Sequence, residues 1–491
     1  MGALSLAPGR LGLGFTALAV FIVAGVFANQ IASTPAVSAG VPPDSAVPVA
    51  PAANVASQGP RAIVLITLDT TRADHLGAWG YPRPTSPYLD ELASKGARFS
   101  RAVTTMPTTD PAHTSLLTGL HPRSHGIRKN GQTLARPDEA NLASWVRSLG
   151  YRTGAFISRA HLVPEEIDLR GFDHESGPSG RVRDGRHTSR EAQEWIEARG
   201  DEPWFVWLHL FDPHGPYEPP PELVVRFVPE NAPAPEYLDN GDPDREPYTQ
   251  EMIETITALY DAELAYTDRL VEDFLGWVEA RMPAGEKPLI IVTSDHGEAM
   301  GELDARHRFA FDHGKQLYQG IVQVPLIFHW EGHIPAGVVV DAPVAITDLP
   351  ATLFELLGDA GFASQGSSLV PLWQGESDPT RLAFSERRQV SASAGQKLGS
   401  EAQYAVQDAR YKLILSEPGR RAELYDLLED PGETRDLSGV EPEARDRLVA
   451  ALDRWMRETP LREPGVAEVP DEKIDALRAL GYIDDAPANT P

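Results

Sequence analysis

The chain has 491 residues, of which 44 are Lys or Arg and 71 are Asp or Glu, giving a formal net charge of −27. A field of that sign repels nucleic acid and anionic lipid, and it excludes a nucleic-acid polymer as a principal partner. There is no cysteine, which excludes disulfides, thiolate metal sites and thiol nucleophiles. Hydrophobic residues at 42% and charged residues at 23% are globular proportions and exclude wholesale disorder.

Taken in chain order, residues 11–28 (LGLGFTALAVFIVAGVFA) carry no charge and follow Arg10. Residues 1–32 therefore read as a signal peptide or an uncleaved N-terminal membrane anchor. The body is expected on the exported, periplasmic or extracellular side, tied to the membrane if the segment is retained. Residues 33–60, rich in Pro, Ala, Val and Ser, read as a linker. From Arg61 the pattern changes. The apolar runs 62–68 (AIVLITL), Phe205–Phe211 and Leu289–Thr293 predict strands buried on both faces. Helices are predicted over 138–149, ending before Gly150, and over 249–281. In the second, Ile253, Ile256, Tyr260, Leu264, Val271, Phe274 and Val278 share one side. Strands alternating with helices imply an α/β catalytic domain over 61–378, with a mostly parallel sheet covered by helices on both faces. From 379 to 491 a smaller α+β subdomain is expected. It has a strand-like run at 404–415, a turn at Asp430-Pro431-Gly432 and an amphipathic helix at 442–458.

Each apolar run is followed by acids or imidazoles. The first leads into Asp69, the second into Asp212-Pro213-His214, the third through Thr293-Ser294 into Asp295-His296. In open parallel sheets ligands bind beyond the carboxyl ends of the strands. Three such ends converging there point to a metal site. The candidate ligands are Asp69, Asp212, His214, Asp295, His296 and His313, the last in Phe311-Asp312-His313-Gly314. Carboxylate oxygens with imidazole nitrogens suit one or two zinc or manganese ions, with calcium a third candidate. Asp74 and His75 read as packing or turn residues, and His307 and His329 as structural.

Six segments, at 68–102, 109–130, 209–220, 293–298, 313–328 and 423–437, together resemble the sulfatase family of the alkaline-phosphatase superfamily, in order and over most of the chain beyond Arg61. The resemblance implies an alkaline phosphatase-like fold and an ester hydrolase. It breaks at the nucleophile. Aligning on Leu116, Thr118 and Gly119 puts Thr109 where the family carries the Cys or Ser that becomes formylglycine, and His113 where it carries Arg. Threonine cannot form that aldehyde, because its β-carbon bears a methyl group. The run Thr109, Pro111, His113, Thr118-Gly119, Pro122, Ser124-His125-Gly126-Ile127 and Asn130 instead resembles nucleotide pyrophosphatase/phosphodiesterases, which use a Thr nucleophile. His214 and His313-Gly314 resemble the second-metal histidines of lipid A phosphoethanolamine transferases.

By these resemblances Thr109 is the nucleophile and completes a first metal shell with Asp69, Asp295 and His296. His214, His313 and Asp212 hold a second metal, and Asn130 stabilises charge on the transferring group. His113 orients the nucleophile loop, Arg72 neutralises the substrate anion, and Lys315 corresponds to the family's sulfate-contacting lysine. Two departures stand out: Asp69-Thr70 replaces the usual Asp-Asp, and the spacing from Lys315 to Val324-Pro325 is one residue off. The expected function is metal-dependent cleavage of a phosphate mono- or diester on a small-molecule, glycan-derived or lipid-derived anionic substrate. The alternatives are a sulfuric ester hydrolase working without formylglycine and a phosphoethanolamine-type transferase.

Overall fold

The computed structural model describes residues 59–388 and 401–465, apart from Pro137, Asp168, Gly241, Pro243, Asp244 and Pro418. The apolar segment 11–28 lies outside the described residues. Among the described residues no helix is long and apolar enough to cross a membrane.

An eight-stranded sheet organises the body. Its order is Val338–Val340, Ala97–Phe99, Leu326–His329, Leu289–Thr293, Ala62–Leu68, Trp204–Leu210, Arg152–Ile157 and His174–Ser176. Leu326–His329 runs against both neighbours, and the remaining pairs are parallel. Side chains alternate across a strand, and in Ala62–Leu68 both alternations are buried. Ile63 and Leu65 join a core with Ala112, Leu116, Val146 and Leu353. Ala62, Val64, Ile66 and Leu68 join a second core with Ala192, Val271 and Phe274 on the other face. Helices cover both faces, which is why the strand reads as unbroken hydrophobicity.

The long helix spans Gln250–Glu279, with the Thr249 side chain accepting from Met252 N. The helix expected from residue 138 begins later, at Leu142. Asn141 and Ser144 form a reciprocal capping box that fixes the start there. Gly150 follows with φ of 99°, a left-handed conformation that glycine adopts without strain. Within the long helix Glu263 is buried and accepts from Glu218 N at 2.8 Å. Burial pushes its carboxyl up to about 8. The folded state then holds a proton that the unfolded chain releases near its ordinary value. Stability from this group is fully present below that value and is lost as pH rises through about 8. Glu263→Gln is expected to gain on the wild type in urea midpoint between pH 5 and 8, and equal losses in the two proteins would refute this.

The C-terminal region forms a four-stranded antiparallel sheet, Ala383–Arg387, Ala402–Gln407, Tyr411–Glu417 and Arg421–Asp426. The helix Pro442–Glu458 packs against it through Leu448, Leu452 and Trp455. The single strand-like run at 404–415 is in fact a hairpin. Asp408 Oδ1 accepts from the N–H groups of Arg410 and Tyr411 at 2.7 and 2.6 Å and turns the chain. A buried ion pair ties this sheet to the body. Lys412 Nζ lies 2.8 Å from Glu433 Oε1 and donates to Gln319 Oε1 at 2.9 Å, while Glu433 Oε2 accepts from Gln319 N. Removing one partner strands the other in a dry interior. Lys412→Met is therefore expected to cost about 3–5 kcal/mol in denaturant unfolding; a loss below ~1 kcal/mol would show the pair to be solvated.

Candidate active site

The strand pairing between Ala62–Leu68 and Trp204–Leu210 continues one step, with Asp69 N donating to Leu210 O at 2.9 Å. Thr70 then adopts φ of 52°, strained for a β-branched residue. Three segments hold it there. Its N–H donates to Asp295 Oδ1 at 3.2 Å, its hydroxyl donates to Pro213 O at 3.0 Å, and its carbonyl accepts from Tyr260 OH at 2.9 Å. The reversal turns the Asp69 carboxylate toward the end of the Leu289–Thr293 strand.

Asp69, Asp295 and His296 are fully buried, and each offers an atom within 4.8 Å of the others. They form the one such group of three among the described residues. Each has one polar atom committed elsewhere. Asp69 Oδ2 lies 3.2 Å from His209 Nε2, and Asp295 Oδ1 accepts from Thr70 N and from His296 N at 2.8 Å. His296 Nδ1 donates to Gly297 O at 2.9 Å. A carbonyl only accepts, so the hydrogen sits on Nδ1 and the lone pair on Nε2. Among the described residues, Asp69 Oδ1, Asp295 Oδ2 and His296 Nε2 have no hydrogen-bond partner. Three buried electron-rich atoms converging without a donor fit a divalent cation, and their outer bonds fix the orientation that metal ligands need.

Thr109 opens the helix Thr109–Thr118 and is 1% exposed. His113, one turn on, donates from Nδ1 to Thr109 O at 2.9 Å, and the same nitrogen lies 3.7 Å from Asp295 Oδ2. Its Nε2 takes the Thr67 hydroxyl at 3.1 Å. Burial holds His113 down at about 4, so it is neutral at ordinary pH and fixes the Thr109 backbone by hydrogen bonding, not by charge. Asn130 Oδ1 accepts from Asp110 N at 2.9 Å, which orients the amide so that Nδ2 is the remaining donor. That Nδ2 is buried and has no partner among the described residues.

His214 and His313 meet edge to face with centroids 5.1 Å apart, and His313 lies 4.3 Å from the His296 ring. His214 stacks on Phe211 at 4.3 Å, and the Arg159 guanidinium lies over Phe211 at 4.8 Å. His313 Nδ1 is 3.3 Å from the buried Glu298 Oε1. Burial works against charge on His313, but the Glu298 carboxylate outweighs it and raises the imidazole to about 9.

Three expected site residues stand elsewhere. Asp212 Oδ1 accepts from Gly185 N at 3.1 Å, at the start of the Gly185–Glu197 helix, so Asp212 serves that helix and does not join the ligand group. Arg72 is consumed by Asp74, by Glu302 at 2.5 Å and by Glu298 O at 2.9 Å, which ties down the loop after His296 instead of meeting an anion. Lys315 Nζ faces Asp312 Oδ2 at 3.3 Å on a half-exposed rim. His75, read as a packing residue, bonds Asp261 Oδ1 at 2.9 Å.

Four residues at the site escaped sequence reasoning: His209, Glu298, Asp110 and His161. His209 is hidden inside an apolar run, and its signal is register, since it pairs with Thr67 two residues before Asp69. Glu298 had a signal in its position two residues after His296.

Against this geometry, the family model described as Sulfatase matches residues 61–359, and one described as N-sulphoglucosamine sulphohydrolase, C-terminal, matches 306–463. The chain belongs to the sulfatase family. It is an ester hydrolase of that family. Among its relatives, a Delta 4,5-hexuronate-2-O-sulfatase of Bacteroides thetaiotaomicron is 24% identical over 75% of this chain and 83% of its own. Human arylsulfatase A is 26% identical over 82% and 88%. Among solved structures, the phosphonate monoester hydrolase of Silicibacter pomeroyi superposes with a TM-score of 0.66 at 23% identity, covering 82% of this chain and 96% of that one. These likenesses span sulfate and phosphonate esters, so family membership alone leaves the ester class of this sulfatase-family hydrolase to its own residues.

Proposed function

We propose that this sulfatase-family hydrolase cleaves a phosphate mono- or diester, with Thr109 as nucleophile and a divalent cation held by Asp69, Asp295 and His296. The observation that carries the reading is the threonine at the start of the Thr109–Thr118 helix, where a methyl group bars formylglycine. A bound cation would supply Lewis acidity, lowering the pKa of the threonine hydroxyl and drawing charge from the ester oxygens. Thr109 Oγ forms a bond to phosphorus as the bond to the leaving-group oxygen breaks, and that oxygen leaves with a proton. Water then attacks the phosphothreonine, releasing phosphate from a monoester or a phosphate monoester from a diester, and restoring the hydroxyl. Asn130 Nδ2 is aimed to donate to a non-bridging oxygen as charge accumulates there, a role that buried, preorganised donors perform well. His113 holds the Thr109 carbonyl, so the helix start does not drift as the covalent bond forms. His214 and His313 stand beside His296, within reach of a leaving group bound at the site.

A sulfuric ester hydrolase is the second reading, favoured by the sulfatase names of the relatives. Purified protein assayed on p-nitrophenyl phosphate, bis-p-nitrophenyl phosphate and p-nitrophenyl sulfate separates the two. Turnover of the phosphate esters is expected, and turnover of the sulfate ester alone would overturn the first reading.

A further inference from the structure

We propose that Asp110 is a positioning residue of the active site, its carboxylate clamping the Asn130–Gly131 turn and the His161 imidazole around Thr109. The inference rests on the roles given above to Thr109 and Asn130. Asp110 is the only acid between Glu91 and Asp138. It is fully buried. Its Oδ1 lies 2.6 Å from His161 Nδ1, and its Oδ2 accepts from Gly131 N at 2.7 Å. Its own N–H donates to Asn130 Oδ1. One residue therefore binds three segments beside the nucleophile: the helix start, the 130–131 turn and the 160–162 turn.

The plainer explanation is that an acid in a first helical turn steadies the helix dipole. Such an acid works from a solvated position or caps its own helix. Here both carboxylate oxygens are taken by other segments, and neither returns to the first-turn amides. The turn it grips is also unusual. Gly131 has φ of 75°, a left-handed position that leaves the peptide free to swing unless its N–H is tied. Asp110 ties that N–H while its backbone ties the Asn130 side chain, so both ends of the 130–131 peptide are fixed. A donor aimed at developing charge contributes only if it is held within a fraction of an ångström, which is what the carboxylate provides.

Asp110→Asn tests this, because an amide can accept from one of the two N–H groups but must turn its own N–H toward the other. The variant is expected to lower kcat on p-nitrophenyl phosphate by about 10- to 100-fold with KM within about twofold. Orthovanadate, which adopts the shape of the phosphoryl transition state, should lose affinity by a similar factor. A merely structural role would reduce the fraction of active enzyme and leave the vanadate inhibition constant unchanged. Combined with Asn130→Ala, the same substitution should cost less than about threefold, since its route through Asn130 is already gone. If the amide prevents folding, Asp110→Ser carries the same cycle. An unchanged vanadate constant, or equal losses with and without Asn130, overturns the assignment. Should the enzyme turn over only p-nitrophenyl sulfate, the kcat cycle on that ester still judges Asp110, while the phosphate reading fails separately.

Discussion

Thr109→Ala is expected to lower kcat on p-nitrophenyl phosphate by about 10³-fold or more, since removal of a covalent nucleophile leaves only the binding and electrostatic contributions of the site. Thr109→Ser, which keeps a hydroxyl on the same backbone, should retain measurable turnover. Acid-quenched wild-type enzyme should carry one phosphoryl group on the peptide containing Thr109, and the alanine variant none. Full activity in Thr109→Ala would remove the nucleophile assignment. The ligand triad would then be left to activate water directly.

The second large effect concerns the cation. Asp69 Oδ1, Asp295 Oδ2 and His296 Nε2 lie close together without hydrogen-bond partners among the described residues, so a cation bound there would stabilise the folded state. Dialysis against a chelator is expected to abolish turnover and lower the Tm, with both restored by zinc or manganese. At free metal 100 times Kd, binding to the native state alone adds about 2.7 kcal/mol of stability. Asp295→Asn sharpens the test. Its carbonyl oxygen can still accept from Thr70 N and His296 N, while its NH2 replaces the oxygen that faces the site. Loss of one metal equivalent by elemental analysis is expected. A variant retaining wild-type metal affinity would exclude Asp295 as a ligand.

What the sequence disclosed and what it hid follow from range. Runs such as AIVLITL announce a strand covered on both faces because burial acts on each residue singly. The long helix Gln250–Glu279 likewise declares itself by its periodic apolar side. Asp69, Asp295 and His296 were legible because each lies just past such a run. Asp212 follows the same rule and yet serves a neighbouring helix, because a carboxylate after a strand fits an N-terminal amide as well as it fits a cation. Arg72 was open to two readings, a substrate contact or an ion pair, for a related reason. Asp74, two residues on, takes two of its N–H groups, but Glu302 and the Glu298 carbonyl that complete its set lie more than two hundred positions away, out of reach of any local pattern. His209 was masked by its neighbours: a single imidazole inside WFVWLHL vanishes into the hydrophobic average, though the register with Thr67 places it directly beneath Asp69.

The strand Ala383–Arg387 runs back to the loop ahead of Thr109. Ser385 Oγ donates to Thr104 O at 2.6 Å, Glu386 N donates to Thr105 O at 2.8 Å, and Glu386 Oε1 accepts from Arg123 N at 2.7 Å. A nascent polypeptide emerging N-terminus first would have to extend roughly 275 residues beyond Thr109 before that loop acquired its flanking braces. Chimeras that graft the segment from Ala383 onward of one relative onto another would inherit mismatched braces unless positions 104–123 travelled with it.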